Sequence, residues 1–432
     1  MDENRKIAFL ILRGVEEKQA FSDVYANSLI EKSKPDSPSF IRELSYGVLR
    51  EKYYLDYLIG RYIKTPVEKL PISDRQLLRM GFYQILFMGS VPDYAAVNET
   101  VVLAAHFAKG RKGFINAVLR NYLRTTDKRP MPDRAADEIA YFSIRYSYAP
   151  WIVRALLAEY GSDRLESILT AGNEYPSVTL RVNKLRTNRE KLKLHLAENG
   201  YEVEENARFE NMIRLKGRSI PMGDLYRSGM YSIQSEASLA AATAVDAQPE
   251  ETVVDVCAAP GGKTMAMAES MKNCGKIVAM DLYQNKLNKI ETQSSRLGVS
   301  IVEVKAHNSE TPDPSFIGKA DRVLADVPCS GLGTVQKKPE IKYREWDERM
   351  ESLPERQLKI LSSSSLYVRT GGVLVYSTCT ILARENQNVT NRFIESNRDF
   401  EKTEERLLLP DTDRTDGFYY CKMRRRLSAK IN

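Results

Sequence analysis

Two short segments carry the side chains best suited to covalent chemistry. The segments "ADVPCSGLG" and "YSTCT" place Cys329 and Cys379 directly after apolar runs that are typical of β-strands, and Asp326 lies shortly before Cys329. Cysteine is intrinsically very nucleophilic as a thiolate. If both strands belong to one parallel sheet, their carboxyl ends meet, and two thiols and a carboxylate face one cleft. The alternative is a pair of structural cysteines, because unpaired cysteine is among the most buried residue types.

The segment "VVDVCAAPGGKTM" (253–265) predicts a ligand-binding turn after a strand. Its ending, Gly-Lys-Thr, is that of a P-loop, but the P-loop pattern needs a glycine where this chain has Cys257. A second predicted strand ends at Asp281, which follows Gly262 by 19 residues. A glycine-rich turn and an acid at this spacing are typical of nucleoside sites, where the acid binds ribose hydroxyls. A ligand with ribose and no phosphate, such as S-adenosylmethionine, fits; a dinucleotide or a simple packing turn remains open.

A thiolate beside a methyl donor suggests methyl transfer to carbon 5 of a pyrimidine. That carbon is a poor nucleophile, but addition of a thiolate to carbon 6 makes it enamine-like, so that it can take the methyl group. A base then removes the carbon 5 proton and the thiol is eliminated. Asp326 is expected to bond the Watson–Crick edge of the base and to help protonate ring nitrogen 3, and the base must leave its stack. The spacing leaves open which of Cys329 and Cys379 adds to the base.

From residue 250 onward, strand patterns alternate with helical patterns. Strands are predicted at "TVVDV" (252–256), "KIVAM" (276–280), "IVEVK" (301–305), "DRVLAD" (321–326) and "VLVYST" (373–378). Continuous apolar strands separated by helices indicate a parallel, doubly wound sheet, which binds ligands at the carboxyl ends of its strands. We therefore predict an α/β domain of Rossmann type over residues 246–432.

Residues 1–126 are predicted to form an all-α bundle. In "SPSFIRELSYGVL", Ser37 is the predicted helix cap and Pro38 the first helical residue. In "PISDRQ", Ser73 and Gln76 have the spacing of a capping box.

A small α/β module is predicted over residues 138–245, after a polar linker. The strand candidates are "SVTLRVN", "YEVEE" and "NMIRL". The helix "TNREKLKLHLAENG" has Thr187 and Glu190 at capping-box spacing.

Composition restricts the protein class only mildly. The net charge of +7 over 432 residues permits an anionic partner, and basic residues cluster at 422–426 and in a second set, Lys109, Arg111, Lys112, Arg120 and Arg124. A solvated surface explains either cluster equally well. No apolar run approaches the ~18 residues of a membrane span, and no signal segment is evident, so we expect a cytoplasmic protein with no membrane contact. Five cysteines without C-x-x-C pairs and three histidines argue against a metal site.

The segments around Cys257, Cys329 and Cys379 resemble motifs of the Sun-type family of RNA cytosine-C5 methyltransferases. "DVCAAPGGKT", "ADVPCSGLGT" and "VYSTCT" match three of the family's motifs, and "TDGFYYCKMRRR" matches its usual ending. The helical segment "SVPDYAAVNETVVLAAHFAKGRKGFINAVLRNYLR" is similar to the NusB-like RNA-binding domain of the family's bacterial branch, called RsmB. The resemblance covers nearly the whole chain and implies an RRM- or ferredoxin-like fold for the middle module.

The resemblance also implies roles for individual residues. Cys379, in the Thr-Cys motif, takes the nucleophile's place, and Cys329, in the Pro-Cys motif, assists release of the methylated base. The methyl-donor contacts fall on Asp281, Asp326 and the segment Cys257, Ala258, Ala259, Pro260, Gly261, Gly262 and Lys263. Asn308 stands where relatives usually carry an aspartate near the adenine, and this puts adenine affinity in question.

The implied function is methylation of a cytosine in small-subunit ribosomal RNA, specifically cytosine 967 in the common numbering, by a monomer that uses S-adenosylmethionine and no metal. Three alternatives remain: methylation of tRNA or of a different ribosomal RNA site; a non-catalytic RNA-binding protein of antitermination type; and a P-loop NTPase, which Cys257 disfavours.

Overall fold

The computed structural model describes residues 1–18, 22–125, 127, 129–205, 208–217 and 220–427. The chain divides into two compact units. The first unit contains residues 1–173 and 335–345, and the second contains 174–334 and 346–432. The three domain boundaries expected from the sequence stay a prediction. Among the described residues, no helix is both long and apolar enough to cross a membrane.

The first unit is helical. Its helices are α1 (Glu3–Lys18), α2 (Ser22–Ser33), α3 (Pro38–Arg50), α4 (Lys52–Gly60), α5 (Ile72–Phe87), α6 (Asp93–Phe107), α7 (Lys112–Arg124), α8 (Glu138–Tyr146) and α9 (Pro150–Asn173), which bends at Gly161. Helices α1 to α7 enclose one apolar core, to which α1 contributes Ile7, Phe9 and Ile11.

Two helix starts in this unit test the predicted caps. Helix α3 begins at Pro38, as predicted, but the Ser37 side chain makes no capping hydrogen bond. The capping box at Ser73 and Gln76 is wrong, because the N-cap of α5 is Pro71, two residues before Ser73. The Gln76 amide instead donates to the Glu16 carboxylate inside the bundle.

Residues 335–345 pack within the first unit although they follow the Cys329 segment in sequence. Lys342 is fully buried there, and its ammonium donates to the Arg50 carbonyl oxygen at 2.8 Å and to Asn173 Oδ1 at 2.6 Å. Two residues before Lys342, the Glu340 carboxylate accepts from the Ser22 hydroxyl at 2.6 Å. No local pattern in the sequence signals this packing.

The second unit contains a small antiparallel sheet with the strand order β2-β3-β1-β4. Its strands are β1 (Val178–Val182), β2 (Val203–Glu205), β3 (Met212–Leu215) and β4 (Tyr231–Ile233), and its helices are α10 (Arg189–Glu198) and α11 (Asp224–Arg227). The first three strands lie where the sequence predicts them. The predicted cap of α10 is wrong by one residue, because Asn188, not Thr187, accepts the Lys191 N–H.

The larger sheet of this unit has seven strands in the order β10-β11-β9-β8-β5-β6-β7. The strands are β5 (Thr252–Asp255), β6 (Lys276–Asp281), β7 (Val302–Ala306), β8 (Ala320–Asp326), β9 (Val368–Thr378), β10 (Phe400–Leu408) and β11 (Phe418–Arg425). The helices are α12 (Glu236–Val245), α13 (Gly262–Ser270), α14 (Gln284–Leu297), α15 (Glu348–Ser365), α16 (Gln387–Ser396) and α17 (Pro410–Asp413). Strands β5 to β9 pair in parallel, and β11 is antiparallel to both its neighbours. The five predicted strands and the Rossmann-type fold are confirmed.

The two basic clusters differ in how their charges are neutralised. In the C-terminal cluster, Arg425 pairs with Asp399 at 3.0 Å and Arg426 with Glu401 at 3.2 Å. In the helical cluster, Arg111 pairs with a carboxylate of the bundle, whereas Lys109, Lys112, Arg120 and Arg124 are exposed. The helical cluster is therefore the more available basic surface.

We expect Lys342→Met to destabilise the first unit by about 1–3 kcal/mol, because the buried acceptors on Arg50 and Asn173 lose a donor. Burial lowers the pKa of Lys342 from 10.5 to about 7. The folded chain then releases this proton at lower pH than the unfolded chain does. The contribution of Lys342 to the free energy of unfolding therefore increases from about pH 7 to about pH 10.5.

Urea unfolding of the full chain at several pH values measures both effects. The matched control is Lys64→Met, which removes an exposed lysine from the same unit. Equal unfolding free energies for the two variants at every pH would contradict the prediction.

Candidate active site

The carboxyl ends of β8 and β9 bring the two predicted thiols together. The strands pair in parallel with Asp326 opposite Ser377, and the Val327 N–H donates to the Ser377 carbonyl oxygen at 3.0 Å. Cys329 and Cys379 follow at the same edge, and their Sγ atoms lie 3.3 Å apart. The structure thus places both half-buried thiols at one point, as the sequence leads us to expect.

The Cys379 backbone is fixed by a close approach of two glycines. The Gly333 N–H donates to the Cys379 carbonyl oxygen at 2.9 Å, and the Gly417 N–H donates to the Gly333 carbonyl oxygen at 2.8 Å. A Cβ atom at Gly333 would lie 1.8 Å from the Gly417 oxygen. Only glycine fits at Gly333, so backbone contacts set the position of the Cys379 turn.

Glu385 holds the loop that carries Cys329. This carboxylate is almost fully buried, and its Oε2 atom accepts the Ser330 N–H at 2.8 Å and the Gln357 amide at 3.0 Å. The hydrogen bond with Cys379, then burial, then the Glu385 charge raise the pKa of Cys329 well above its ordinary value. Cys329 therefore carries its proton at neutral pH.

Asp326 is held by two donors on different elements. Its Oδ2 atom accepts from Lys263 Nζ at 2.7 Å, and its Oδ1 atom accepts from the Ser377 hydroxyl at 2.7 Å. Burial by itself would lower the pKa of Lys263, but the Asp326 carboxylate outweighs burial and raises it. Lys263 is therefore a cation beside the thiols, in ion-pair contact with Asp326.

The predicted cofactor loop, residues 257–263, connects β5 to α13. Gly261 has φ of +103° and Gly262 is the first residue of α13. A Cβ atom at Gly262 would meet only the Gln234 amide nitrogen, at 3.8 Å. Packing against the described residues does not require glycine at 262, whereas close approach of a ligand to the backbone would.

Two further ionisable groups, Cys257 and Asp255, lie in this loop or next to it. Burial raises the pKa of the Cys257 thiol, so Cys257 is a neutral thiol. Asp255 precedes the loop, and its Oδ2 atom accepts from the Thr264 hydroxyl at 2.7 Å. Burial raises the pKa of Asp255 to about 7, and its Oδ1 atom has no hydrogen-bond partner among the described residues.

Asp281 and Asn308 follow the next two strands along the sheet. Asp281 ends β6 and is nearly buried. Its Oδ1 atom accepts a long hydrogen bond, 3.3 Å, from the Tyr283 N–H and lies 3.6 Å from Lys286 Nζ. This carboxylate can accept ribose hydroxyls. Asn308 is exposed after β7, and its side-chain oxygen accepts the Glu310 N–H at 3.1 Å. The loop, Asp281 and the presence of Cys257 in place of the first P-loop glycine together fit a nucleoside ligand without a polyphosphate.

Sequence reasoning missed Ser377 and Glu385. Ser377 lies inside the quoted "YSTCT" segment at the predicted strand end, and its place there could have indicated it. The structure places it opposite Asp326. Glu385 follows in "ILARENQ", where nothing in the local pattern distinguishes a buried acid from a surface one.

The short distance between the thiols predicts an easily formed disulfide. Diamide takes two hydrogens and two electrons from the thiols, and the Sγ atoms need to move only from 3.3 Å to about 2.05 Å. Peptide mapping by mass spectrometry is expected to show Cys329 linked to Cys379. Cys329→Ser is the control in which this link cannot form. Oxidation of exposed Cys274 with both active-site thiols still reduced would contradict the distance.

Three family models match the chain in succession. The NusB family matches residues 2–124, a ferredoxin-like domain of RsmF/B-like methyltransferases matches 148–220, and the family described as 16S rRNA methyltransferase RsmB/F matches 242–424. The order agrees with the bundle, small module and Rossmann-type domain.

Relatives match over almost the full length. The probable ribosomal RNA small subunit methyltransferase B of Bacillus subtilis is 35% identical over 98% of both chains, and the ribosomal RNA small subunit methyltransferase B of Escherichia coli K12 is 30% identical over 95% of both. The crystal structure of PH0851 shares the fold, with a TM-score of 0.85 over 97% of this chain and 98% of that chain at 24% identity. NSun6 from Pyrococcus horikoshii with SFG shares it with a TM-score of 0.59 over 63% of this chain and 97% of that chain at 20% identity. The chain therefore belongs to the 16S rRNA methyltransferase RsmB/F family and is an S-adenosylmethionine-dependent RNA methyltransferase.

Proposed function

We propose that this enzyme methylates carbon 5 of a cytosine in small-subunit ribosomal RNA, at cytosine 967 in the common numbering. The observation that carries the proposal is the pair of thiols 3.3 Å apart, beside a carboxylate that is tied to the cofactor loop. A methyltransferase for an exocyclic nitrogen or a ribose oxygen needs no thiol, because those acceptors are already nucleophilic. A pyrimidine carbon 5 does need one.

Cys379 is the proposed nucleophile. As a thiolate it adds to carbon 6 of the cytosine and raises the electron density at carbon 5. S-adenosylmethionine supplies the methyl group when it is bound. Its proposed contacts are the loop 257–263, Asp281, Asn308 and Asp326. Loss of the carbon 5 proton to a base then breaks the bond between carbon 6 and the Cys379 sulfur. The free enzyme is restored.

Asp326 and Lys263 are proposed to orient the cytosine. The Asp326 carboxylate presents its oxygens to the Watson–Crick edge of the base, while Ser377 and Lys263 fix the direction of both oxygens. A proton taken up at ring nitrogen 3 and held in a hydrogen bond to the Asp326 carboxylate draws electrons from the ring and makes carbon 6 more electrophilic. Lys263 balances the Asp326 charge, and none of these steps requires a metal ion.

Cys329 is proposed to assist release. Its pKa is raised by the contact with Cys379 and by burial, so it is a thiol that can donate a proton to the departing Cys379 sulfur. The two sulfur atoms are already within hydrogen-bonding distance. The raised pKa of Cys329 therefore fits the proposed role of Cys329 as the group that returns a proton to Cys379.

The exposed basic residues of the helical bundle are proposed to bind ribosomal RNA backbone. A second candidate function, methylation of another RNA such as tRNA, uses the same site and differs only in the RNA presented. A non-catalytic RNA-binding role is disfavoured because both thiols and Asp326 are in place.

Cys379→Ala is expected to abolish methyl transfer and to leave S-adenosylmethionine affinity unchanged, because the thiol contacts the base only. Bisulfite mapping of small-subunit ribosomal RNA with and without wild-type enzyme is expected to show one new 5-methylcytosine at position 967, absent with the variant. The control is Cys274→Ala, which removes an exposed thiol far along the sequence. A new mark at a different RNA or position would replace the proposed substrate, and full activity of Cys379→Ala would remove the proposed nucleophile.

Cys329→Ala is expected to accumulate a covalent protein–RNA adduct, because the Cys379 sulfur leaves slowly without a nearby proton donor. A band of slower mobility on a denaturing gel, stable to heat and detergent, reports the adduct. The double variant Cys329→Ala with Cys379→Ala should not form it. Normal turnover without any adduct in the single variant would refute the release role.

A further inference from the structure

Arg181 is a fully buried cation at the junction of the small sheet and the cofactor loop. It lies on β1, where its neighbours Leu180 and Val182 belong to the apolar core of the small module. Because side chains alternate along a strand, Arg181 faces the other side of the sheet. The exposed fractions of Arg181 and its partner Glu269 are 0% and 3%.

The Arg181 guanidinium donates hydrogen bonds near both ends of α13, to Gly262 and to Glu269. Its Nε and Nη2 atoms bind the two oxygens of the Glu269 carboxylate at 3.1 and 2.8 Å. Its Nη1 atom donates to the carbonyl oxygen of Gly262 at 2.8 Å. The same Nη1 atom also binds the side-chain oxygen of Gln234, and Nη2 lies 3.5 Å from the Ser232 hydroxyl.

The Gly262 contact completes a set of three anchors on the first turn of α13. Arg181 holds the backbone of Gly262, Asp326 holds the side chain of Lys263 at 2.7 Å, and Asp255 holds the side chain of Thr264 at 2.7 Å. These partners belong to β1, β8 and β5. Three consecutive residues of the cofactor loop and its helix are thus fixed from three directions, and Arg181 is the only one of the three partners outside the seven-stranded sheet.

Stability alone is a weak reason for this arrangement. Taking a guanidinium and a carboxylate out of water costs about as much as their attraction returns, and apolar residues of similar size often stabilise a protein equally well. An apolar pair, however, could not hold the Gly262 carbonyl group. The bidentate bond to Glu269 fixes the plane of the guanidinium, and that plane directs Nη1 at the cofactor loop.

We propose that Arg181 is a positioning residue for S-adenosylmethionine, and that the small α/β module is thereby part of the cofactor-binding apparatus. The module holds the loop backbone in the geometry that the ligand requires, without touching the ligand through Arg181. This proposal depends on the cofactor of the family and not on the proposed cytosine chemistry, because it concerns binding of S-adenosylmethionine to the protein alone.

The double variant Arg181→Met with Glu269→Met tests the proposal. Both charges are removed together, so no buried ion is left unpaired and the chain is expected to fold. The Gly262 anchor is lost. We expect the Kd for S-adenosylmethionine, measured by calorimetry without RNA, to rise by about tenfold, the loss expected for one charged hydrogen bond.

Kinetics separate positioning from a general structural role. The KM for S-adenosylmethionine is expected to rise with the Kd, whereas kcat at saturating cofactor and the KM for RNA stay within about twofold of wild type. The matched control is Arg214→Met with Glu236→Met, which removes an ion pair between β3 of the small module and α12. Among the described residues, this pair has no hydrogen bond or ion pair with residues 257–263. This control should bind the cofactor like the wild type.

Arg181→Lys provides a second route if the double methionine variant does not fold. A single ammonium group keeps the charge next to Glu269 but cannot span both Glu269 and Gly262 in the same plane. An intermediate Kd is expected. Wild-type affinity for S-adenosylmethionine in a folded double methionine variant, or in Arg181→Lys, would overturn the proposal. Since no RNA enters the calorimetry, an error in the proposed RNA target cannot produce either result.

Discussion

The parallel pairing of β8 with β9 is the constraint on which the active site depends. Placing Asp326 opposite Ser377 sets the two cysteine turns at one edge of the sheet, and the Sγ atoms then lie 3.3 Å apart. A slip by one residue would turn every side chain of β9 to the opposite face. Burial on both faces of these strands prevents such a slip, so the apolar core of the sheet determines where the thiols meet.

The first turn of α13 joins that sheet edge to the proposed cofactor loop. Its backbone and side chains are tied to β1, β5 and β8 through one buried arginine and two aspartates. The ion pair between Lys263 and Asp326 belongs to both parts of the site, since it joins the cofactor loop to the carboxylate beside the thiols. This ion pair joins the proposed cofactor loop to the carboxylate that is proposed to orient the base.

Much of this organisation could be predicted, and the failures have a common cause. The five parallel strands, the loop after β5 and the meeting of Cys329 with Cys379 follow from apolar periodicity and from the rule for strand ends. The helix caps predicted at Ser73 and Thr187 are wrong because capping depends on the direction in which the chain enters the helix, and tertiary packing sets that direction. The observed caps are Pro71 and Asn188. The roles of Glu385 and Arg181 could not be predicted, because a charged residue is expected to be exposed unless its buried partner is known. The partner of Arg181, Glu269, lies 88 residues away along the chain.

By itself the sequence determined the kinds of element, their order, the family and the chemical groups available at the strand ends. Those properties depend on side chains near one another in the chain. Only the tertiary structure decided which ionisable groups are buried, which of them keep a proton, and which residues they contact. It showed that Cys329 keeps its proton beside Cys379, that Lys342 is buried in the helical unit, and that Arg181 reaches the Gly262 carbonyl group. These are contacts between distant segments, and burial and distance set their electrostatics. No local periodicity encodes either quantity.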